Sequence, residues 1–321
     1  MRYIDLSQNI YRVNRKLTDE ERQNQLRQKE RLDLTPFYNV STVTLNSTYL
    51  ETVDRWFIYR GVMTFGCLLF IVFPILLVLM PFFVPPWHLI PTGSDLRYMK
   101  LTFPYFLPLW AFLIWVLFKE SFRWTHFPIR FNYRNRMVYV FCLDGVIRSA
   151  RWDDLFFTLG RCERTAAGQR WDIRGHALKA DRETVEWTFA LRADGVDVQQ
   201  LRHIWEFVRR YMEEGPSTVY RDVFWCHDIA AKRETYRAGL DVLYLTFNGL
   251  PISQKVLTPV FWLIAIGRSF VMKTSRIPEW PAEIEAQCAV DGFDPYQRTA
   301  VQNPDRIPTE SVGAAWDQVG S

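Results

Sequence analysis

The sequence predicts an α+β membrane protein. A transmembrane helical hairpin is followed by an antiparallel β-barrel or sandwich with a closing helix, then by a helical region and an acidic tail. Three observations carry this expectation. Residues 61–91 contain no Asp, Glu, Lys or Arg. A second uncharged run, 18 residues long, follows at 101–118. Beyond it, apolar residues alternate with strand periodicity through 127–191 and then switch to helical periodicity from 197 to 212.

Composition sets the frame. A chain of 321 residues has room for one or two domains with real cores. Its mean hydropathy is near zero, so only part of it belongs in a membrane. Aromatic residues make up 16%, with 13 Trp and 24 Phe, which suits a membrane–water boundary. The net charge of +4 is not gathered into a basic stripe, so nucleic acid is not an expected partner. The cysteines (Cys67, Cys142, Cys162, Cys226 and Cys288) are odd in number and never spaced as CxxC. That argues against a disulfide framework or zinc ribbon and fits reduced thiols facing the cytoplasm.

The elements follow in order, with domain boundaries at 1–56, 57–118, 119–215 and 216–321. Residues 17–32 read as a polar surface helix that starts with a capping box, Thr18 and Glu21. A β-prone stretch at 38–45 follows, and 49–60 leads into the first span. Residues 61–84 form an uncharged run of 24, where about 20 suffice to cross the hydrocarbon layer. Pro74 and Pro81 are tolerable in such a helix. The second span, 101–118, holds Pro104 and Pro108 and carries Trp110 and Trp115, with Trp124 beyond it. A turn-rich link at 85–100 joins the two. No signal-type apolar core occupies residues 1–31, so the first span is expected to remain as an anchor.

Lys and Arg set the orientation. Lys119, Arg123, Arg130, Arg134 and Arg136 follow the second span, whereas the link offers Arg97 and Lys100. A multi-pass protein with both termini in the cytoplasm is expected. A third apolar stretch, 256–267, is too short to span by itself. It reads as a buried helix or an interfacial one, with a true third span as the remaining alternative.

In the soluble part, Ile129, Phe131 and Tyr133 alternate with Arg130, Asn132 and Arg134, and 137–141 returns as the second strand of a hairpin. Asp144-Gly145 marks a turn. Further strands are expected at 146–152, 155–162, 169–174 and 184–191. A helix then starts at the cap Asp197, carries the stripe Val198, Leu201, Ile204, Val208 and Tyr211, and stops at Gly215-Pro216. Residues 223–226 read as a short strand and 229–245 as a helix.

About six antiparallel strands followed by one amphipathic helix resembles the element order of pleckstrin-homology-like domains. Four features also resemble those of an uncharacterised two-span bacterial membrane-protein family, over residues 55–295. They are the two early spans, the Pro128-Ile-Arg-Phe-Asn132 hairpin with Val138-Tyr-Val-Phe141, the Arg151-Trp-Asp-Asp154 step, and the tail Trp280-Pro-Ala-Glu-Ile-Glu-Ala-Gln-Cys288. Members of that family occur in Gram-negative bacteria, often beside type VI secretion effector genes. The resemblance implies an immunity or accessory role at the inner membrane and transfers no catalytic residue.

The motifs of catalysis do not accumulate. No Walker A loop, GxGxxG, GxSxG or HExxH is present. The five histidines (His88, His126, His176, His203 and His227) lie far apart, so neither a metal nor another cofactor is expected. Cys226-His227-Asp228 holds a thiol, a base and an acid, but neighbours on an extended chain face opposite ways. Asp153-Asp154 suits a turn or pairing with Arg148 or Arg151, and Glu283, Glu285, Asp291 and Asp294 fit no cation loop.

The best candidate surface is the basic and aromatic cluster of Lys119, Arg123, Trp124, Arg130, Arg134 and Arg136, placed to meet lipid headgroups. The expected function is a membrane-anchored, non-enzymatic interaction protein whose partners are membrane lipids and a protein, such as a secreted effector. An enzyme acting on lipid or envelope substrates through His126 or Asp153 is the alternative. A transport subunit is disfavoured because the spans lack ionisable groups.

Overall fold

The computed structural model describes residues 11–79, 93–165, 168–246, 251–290 and 292–304. The chain divides into two compact units. Unit 1 comprises the residues up to Phe57, His126–Lys232, and the residues from Ile277; unit 2 comprises Ile58–Thr125 and Arg233–Arg276. In chain order the elements begin with β1 (Arg15–Lys16), α1 (Asp19–Gln23), β2 (Gln25–Leu26), β3 (Thr42–Leu45) and β4 (Tyr49–Thr52). Helices α2 (Val62–Leu79) and α3 (Gly93–Glu120) follow, then strands β5 (Ile129–Asn132), β6 (Met137–Phe141) and β7 (Ile147–Arg151). Next come β8 (Leu155–Thr165), β9 (Gly168–Leu178), β10 (Thr184–Gly195) and α4 (Val198–Glu214). The chain closes with α5 (Tyr236–Thr246), α6 (Pro251–Thr274) and α7 (Ala282–Gln287).

Unit 1 is built on two antiparallel five-stranded sheets, ordered β3-β4-β5-β6-β7 and β1-β10-β9-β8-β2. Strand β4 pairs directly with β5 across the 76 residues between them, with Leu50 opposite Phe131 and Glu51 opposite Arg130. A stretch expected only to lead into the span is therefore a central strand, and unit 2 enters the chain between two hydrogen-bonded neighbours. Helix α4 runs as the periodicity predicts. Asp197 caps it through Gln199 N, and Gly215, at φ +91°, ends it. Its inner face presents Leu201, Trp205, Val208 and Tyr211 to the core. Trp152 is fully buried there, its ring stacked on Trp205 at 5.7 Å and 17° and touching Phe157 at 4.9 Å.

Two expected elements are corrected in unit 1. The helix expected over 17–32 is limited to the five residues of α1, although its capping box forms as read. Asn24 ends it by turning its N–H and Nδ2 onto Glu20 O, and Gln25–Leu26 then pair with Thr158 and Phe157 at the open edge of β8. A sheet edge that needs covering outweighs local helix preference. Residues 223–226 lie outside the strands. The amide side chain of Asn303 substitutes for a partner strand there, accepting from Cys226 N at 2.8 Å and donating to Cys226 O at 2.7 Å.

Unit 2 is helical. Among the described residues two helical segments, Phe57–Leu76 and Phe103–Glu120, are long and apolar enough to cross a membrane, and apart from Phe57 they belong to this unit. Helices α2 and α3 pack through Cys67, Trp110 and Leu113, flanked by Ile71, Phe106 and Leu117. The Glu120 carboxylate caps the start of α2, accepting from Gly61 N at 2.7 Å and from Thr64 N and Oγ1 at 2.6 Å. An anion at a helix N-terminus satisfies free N–H groups and suits the helix dipole. Residues 93–100, expected in the link, already belong to α3; residues 80–92 lie outside the described ones. The expected helix at 229–245 starts later, at Tyr236. The third apolar stretch is the middle of α6, which is 24 residues long.

Candidate functional site

The six residues expected to meet lipid divide between the units. Lys119, Arg123 and Trp124 belong to unit 2, and Arg130, Arg134 and Arg136 to unit 1. In unit 2, Lys119 Nζ lies 4.7 Å from the Trp115 ring centre. The carbonyl of Arg123 accepts from Arg276 N at 2.6 Å, and Thr125 N donates to Arg276 O at 2.8 Å. These bonds bring exposed Arg276, with exposed Lys273 one turn before it, to the segment holding Lys119 and Arg123. The basic end of unit 2 is therefore larger than expected. Its missed members were announced only by the charges that close the 256–267 apolar run.

In unit 1, two of the three basic residues are engaged in holding the fold. Arg130 is buried, pairs with Glu51 at 2.7 Å, and is flanked by the rings of Tyr49 at 4.3 Å and Trp280 at 4.8 Å. It therefore offers no charge to a lipid surface. Arg136, at φ +56°, donates to Asp153 and Glu213 and to Met212 O. Hydrogen bonds from Arg136 and, against some desolvation, from Lys29 pull the Asp153 carboxyl down to about 2. Arg134 is exposed.

The other buried charges of unit 1 are likewise arranged in compensated sets, as charges removed from water must be. Arg55 bridges Asp172 at 2.5 Å and Asp194 at 3.7 Å, and Tyr11 donates to Asp172 at 2.7 Å. Glu206 accepts from Arg209 and Arg210, and Arg210 also holds Leu34 O at 2.6 Å, pinning the chain before β3 to α4. Glu21 takes both Arg15 nitrogens and lies 3.5 Å from the buried His176. Burial works against the Glu21 carboxylate, but nearby His176 and the bonds from Arg15 and Thr18 outweigh it and hold its pKa low. Burial lowers His176, whose Nδ1 shares a 2.7 Å hydrogen bond with Thr188.

The residues examined for chemistry go separate ways. Cys226 is buried, and burial pushes its thiol up to about 12, far from the thiolate a nucleophile needs. His227 Nε2 is 2.7 Å from Val40 O, while exposed Asp228 pairs with Lys232 at 2.7 Å. His126 is buried against Phe57. Asp154 reaches Arg151 at 4.0 Å, whereas Asp153 is held by Arg136 and Lys29. Glu285 pairs with Arg130, and Asp294 accepts from Ser47 N. Among the described residues, no three His, Cys, Asp or Glu side chains gather as a metal site would require.

One surface feature of unit 1 has a recognisable binding chemistry. An open groove of about 380 Å³ is bordered by Arg221, Phe224, Trp225, Arg298, Thr299 and Gln302. Arg221 and Arg298 both lie over the Tyr220 ring, at 5.6 and 5.2 Å. Two guanidinium groups and the half-buried rings of Phe224 and Trp225 give the groove a cationic and aromatic lining.

A profile for a family of unknown function (DUF6708) matches residues 107–292, which is more than half of the chain. No curated protein and no solved structure matches it.

Proposed function

The chain belongs to the DUF6708 family, and we propose that it works as a membrane-anchored, non-enzymatic interaction protein of the bacterial inner membrane. The observation that carries this reading is the outer surface of unit 2. Phe70, Leu76, Leu101, Phe112, Trp115 and Phe118 are each more than half exposed, in helices of spanning length and composition. A contiguous apolar surface of this size is not stable in water. In a bilayer it faces acyl chains, and the Lys119, Arg123, Lys273 and Arg276 end meets anionic headgroups on the cytoplasmic side.

Unit 1 is then the part that grips a partner. The order of its elements supports a pleckstrin-homology-like reading. A four-stranded meander (β4–β7), three further antiparallel strands (β8–β10) and a closing helix α4 follow in that order, with the anchor entering between the first and second strands. The favoured partner is a protein, such as a secreted effector, in an immunity or accessory role of type VI secretion. Support comes from two of the four features behind that resemblance, the hairpin and the tail, which pack together: Arg130 of the hairpin is clasped by Trp280 of the tail, and Tyr139 donates to Gln287 at 2.5 Å.

The test has two steps. Membranes washed at alkaline pH are expected to retain the protein and detergent to release it; release by alkali overturns the anchor. Affinity purification from detergent is then expected to recover a stoichiometric partner encoded near the gene. That partner should be lost with Trp225→Ala combined with Arg298→Glu, provided the variant keeps its thermal transition. Repeated recovery of the chain alone would overturn the interaction reading.

A further inference from the structure

Helix α6 does not meet the composition of a spanning helix, yet both of its faces are apolar. Phe261, Ala265, Val271 and Met272 are buried, with the Phe261 ring against Tyr244 of α5. On the outward side Val260, Trp262, Leu263 and Ile266 are each 41–54% exposed. A helix apolar on every side is at home inside a protein or in lipid, not in water. Below this stripe the outward face ends in charge, with exposed Lys273 and Arg276.

The ends of the helical segments locate α6 relative to the spans. Arg268 is fully buried and pairs with Glu234, just before α5, at 2.6 Å. It also donates to the carbonyls of Ile58 and Arg60, just before α2. Arg276, just after α6, bonds to Arg123 and Thr125, just after α3. All four points where the chain enters or leaves unit 2 therefore lie at one end of it. Gly267 sits so close to the Gly61 carbonyl and Phe65 that a Cβ would collide with both, so α6 runs directly against the first turn of α2. Helix α5 returns alongside α6, with Tyr244 and Phe261 rings 5.6 Å apart and Tyr236 Oη donating to Trp262 O. From Arg268 to Val260 the helix rises about 12 Å, which keeps the exposed stripe within half of a hydrocarbon core about 30 Å thick, and the helix continues for nine more residues to Pro251.

We propose that α5 and α6 form a re-entrant hairpin, with Val260, Trp262, Leu263 and Ile266 seated among the acyl chains of the same leaflet that receives the ends of α2 and α3. This rests on the membrane reading given above. Its recognition chemistry is lipid: an exposed apolar stripe on a helix packed against the first span, a buried Arg268–Glu234 pair at the base, and a cationic rim at headgroup level. Arg268 satisfies the base of the hairpin, donating to the carbonyls of Ile58 and Arg60 as well as to Glu234.

The experiment places a benzophenone side chain at one position per variant in the full-length protein. Leu263 and Ile266 probe the hairpin, Phe112 probes the second span, and Val146, an exposed residue of unit 1, serves as the water-facing control. All four are surface positions, so core packing is undisturbed. After reconstitution in nanodiscs of phosphatidylethanolamine and phosphatidylglycerol, illumination is expected to add one phospholipid mass at 263, 266 and 112 and none at 146. A lipid adduct at 112 with none at 263 or 266 overturns the hairpin and leaves the anchor standing. Cross-linking of 263 and 266 to a second copy or to another protein also overturns it. Absence of lipid adducts at all four positions removes the anchor itself.

Discussion

Trp152 shows how one residue joins several levels of this structure. Its ring fills the space between the two sheets and α4, and its Nε1–H donates to Glu213 at 2.6 Å, which also binds Arg136 and Lys29. Truncating Trp152→Ala is expected to cost about 3–5 kcal/mol, read as a large fall in the unfolding midpoint of detergent-solubilised protein. Arg130→Ala leaves Glu51 buried without its partner; an effect of about 3–5 kcal/mol is expected, and pairing it with Glu51→Gln should restore part of the loss. His176 makes a pH prediction. Burial keeps its native pKa below the unfolded value of 6.5, so the unfolded chain takes up a proton that the native state resists. The stability it contributes is present above about pH 6.5 and lost as pH falls towards the lower native value. His176→Gln should flatten that acid limb of the midpoint-against-pH curve; an unchanged limb would assign it to other groups.

At the scale of elements, the periodicities were strong where one face meets a core and weak where pairing is remote. Helix α4 and strands β5 to β10 were legible because alternation and stripe survive in the sequence. The two long apolar runs were legible for a simpler reason: each is an uninterrupted uncharged stretch of spanning length and composition. Strand β4 was hidden because its partner β5 lies beyond the whole of α2 and α3. Strand β2 was hidden because its two residues have no pattern of their own. Capping carries a prediction at this scale. Glu120→Gln keeps the shape but removes the charge from the α2 N-terminus, and a loss of about 1 kcal/mol is expected in detergent thermal melts. Gly61→Ala should be far worse, since Gly61 has φ +90° and its added methyl would strike the backbone of Arg268; a variant of native stability would show that α2 and α6 are less closely packed than described.

On the scale of the whole molecule, two units share one chain by insertion, and β4 and β5 meet as paired strands across the first insertion. The neighbouring ends of β4 and β5 predict that short linkers replacing residues 58–125 and 233–276 will give a water-soluble unit 1 with a cooperative thermal transition. Aggregation on removal of detergent would show that unit 1 depends on the helices. By itself, the sequence determined that there is an uncharged helical pair, an antiparallel β segment and a closing amphipathic helix. These are written in local composition and period, which short-range physics reads directly. Only the tertiary structure decided which charges pair inside unit 1. Arg130 and Arg136 resemble Lys119 and Arg123 in sequence, yet the first two are bound by Glu51, Asp153 and Glu213, and Lys273 and Arg276 join the last two. The residue type fixes the charge. Whether that charge faces a membrane or a buried carboxylate depends on partners brought from distant positions in the chain.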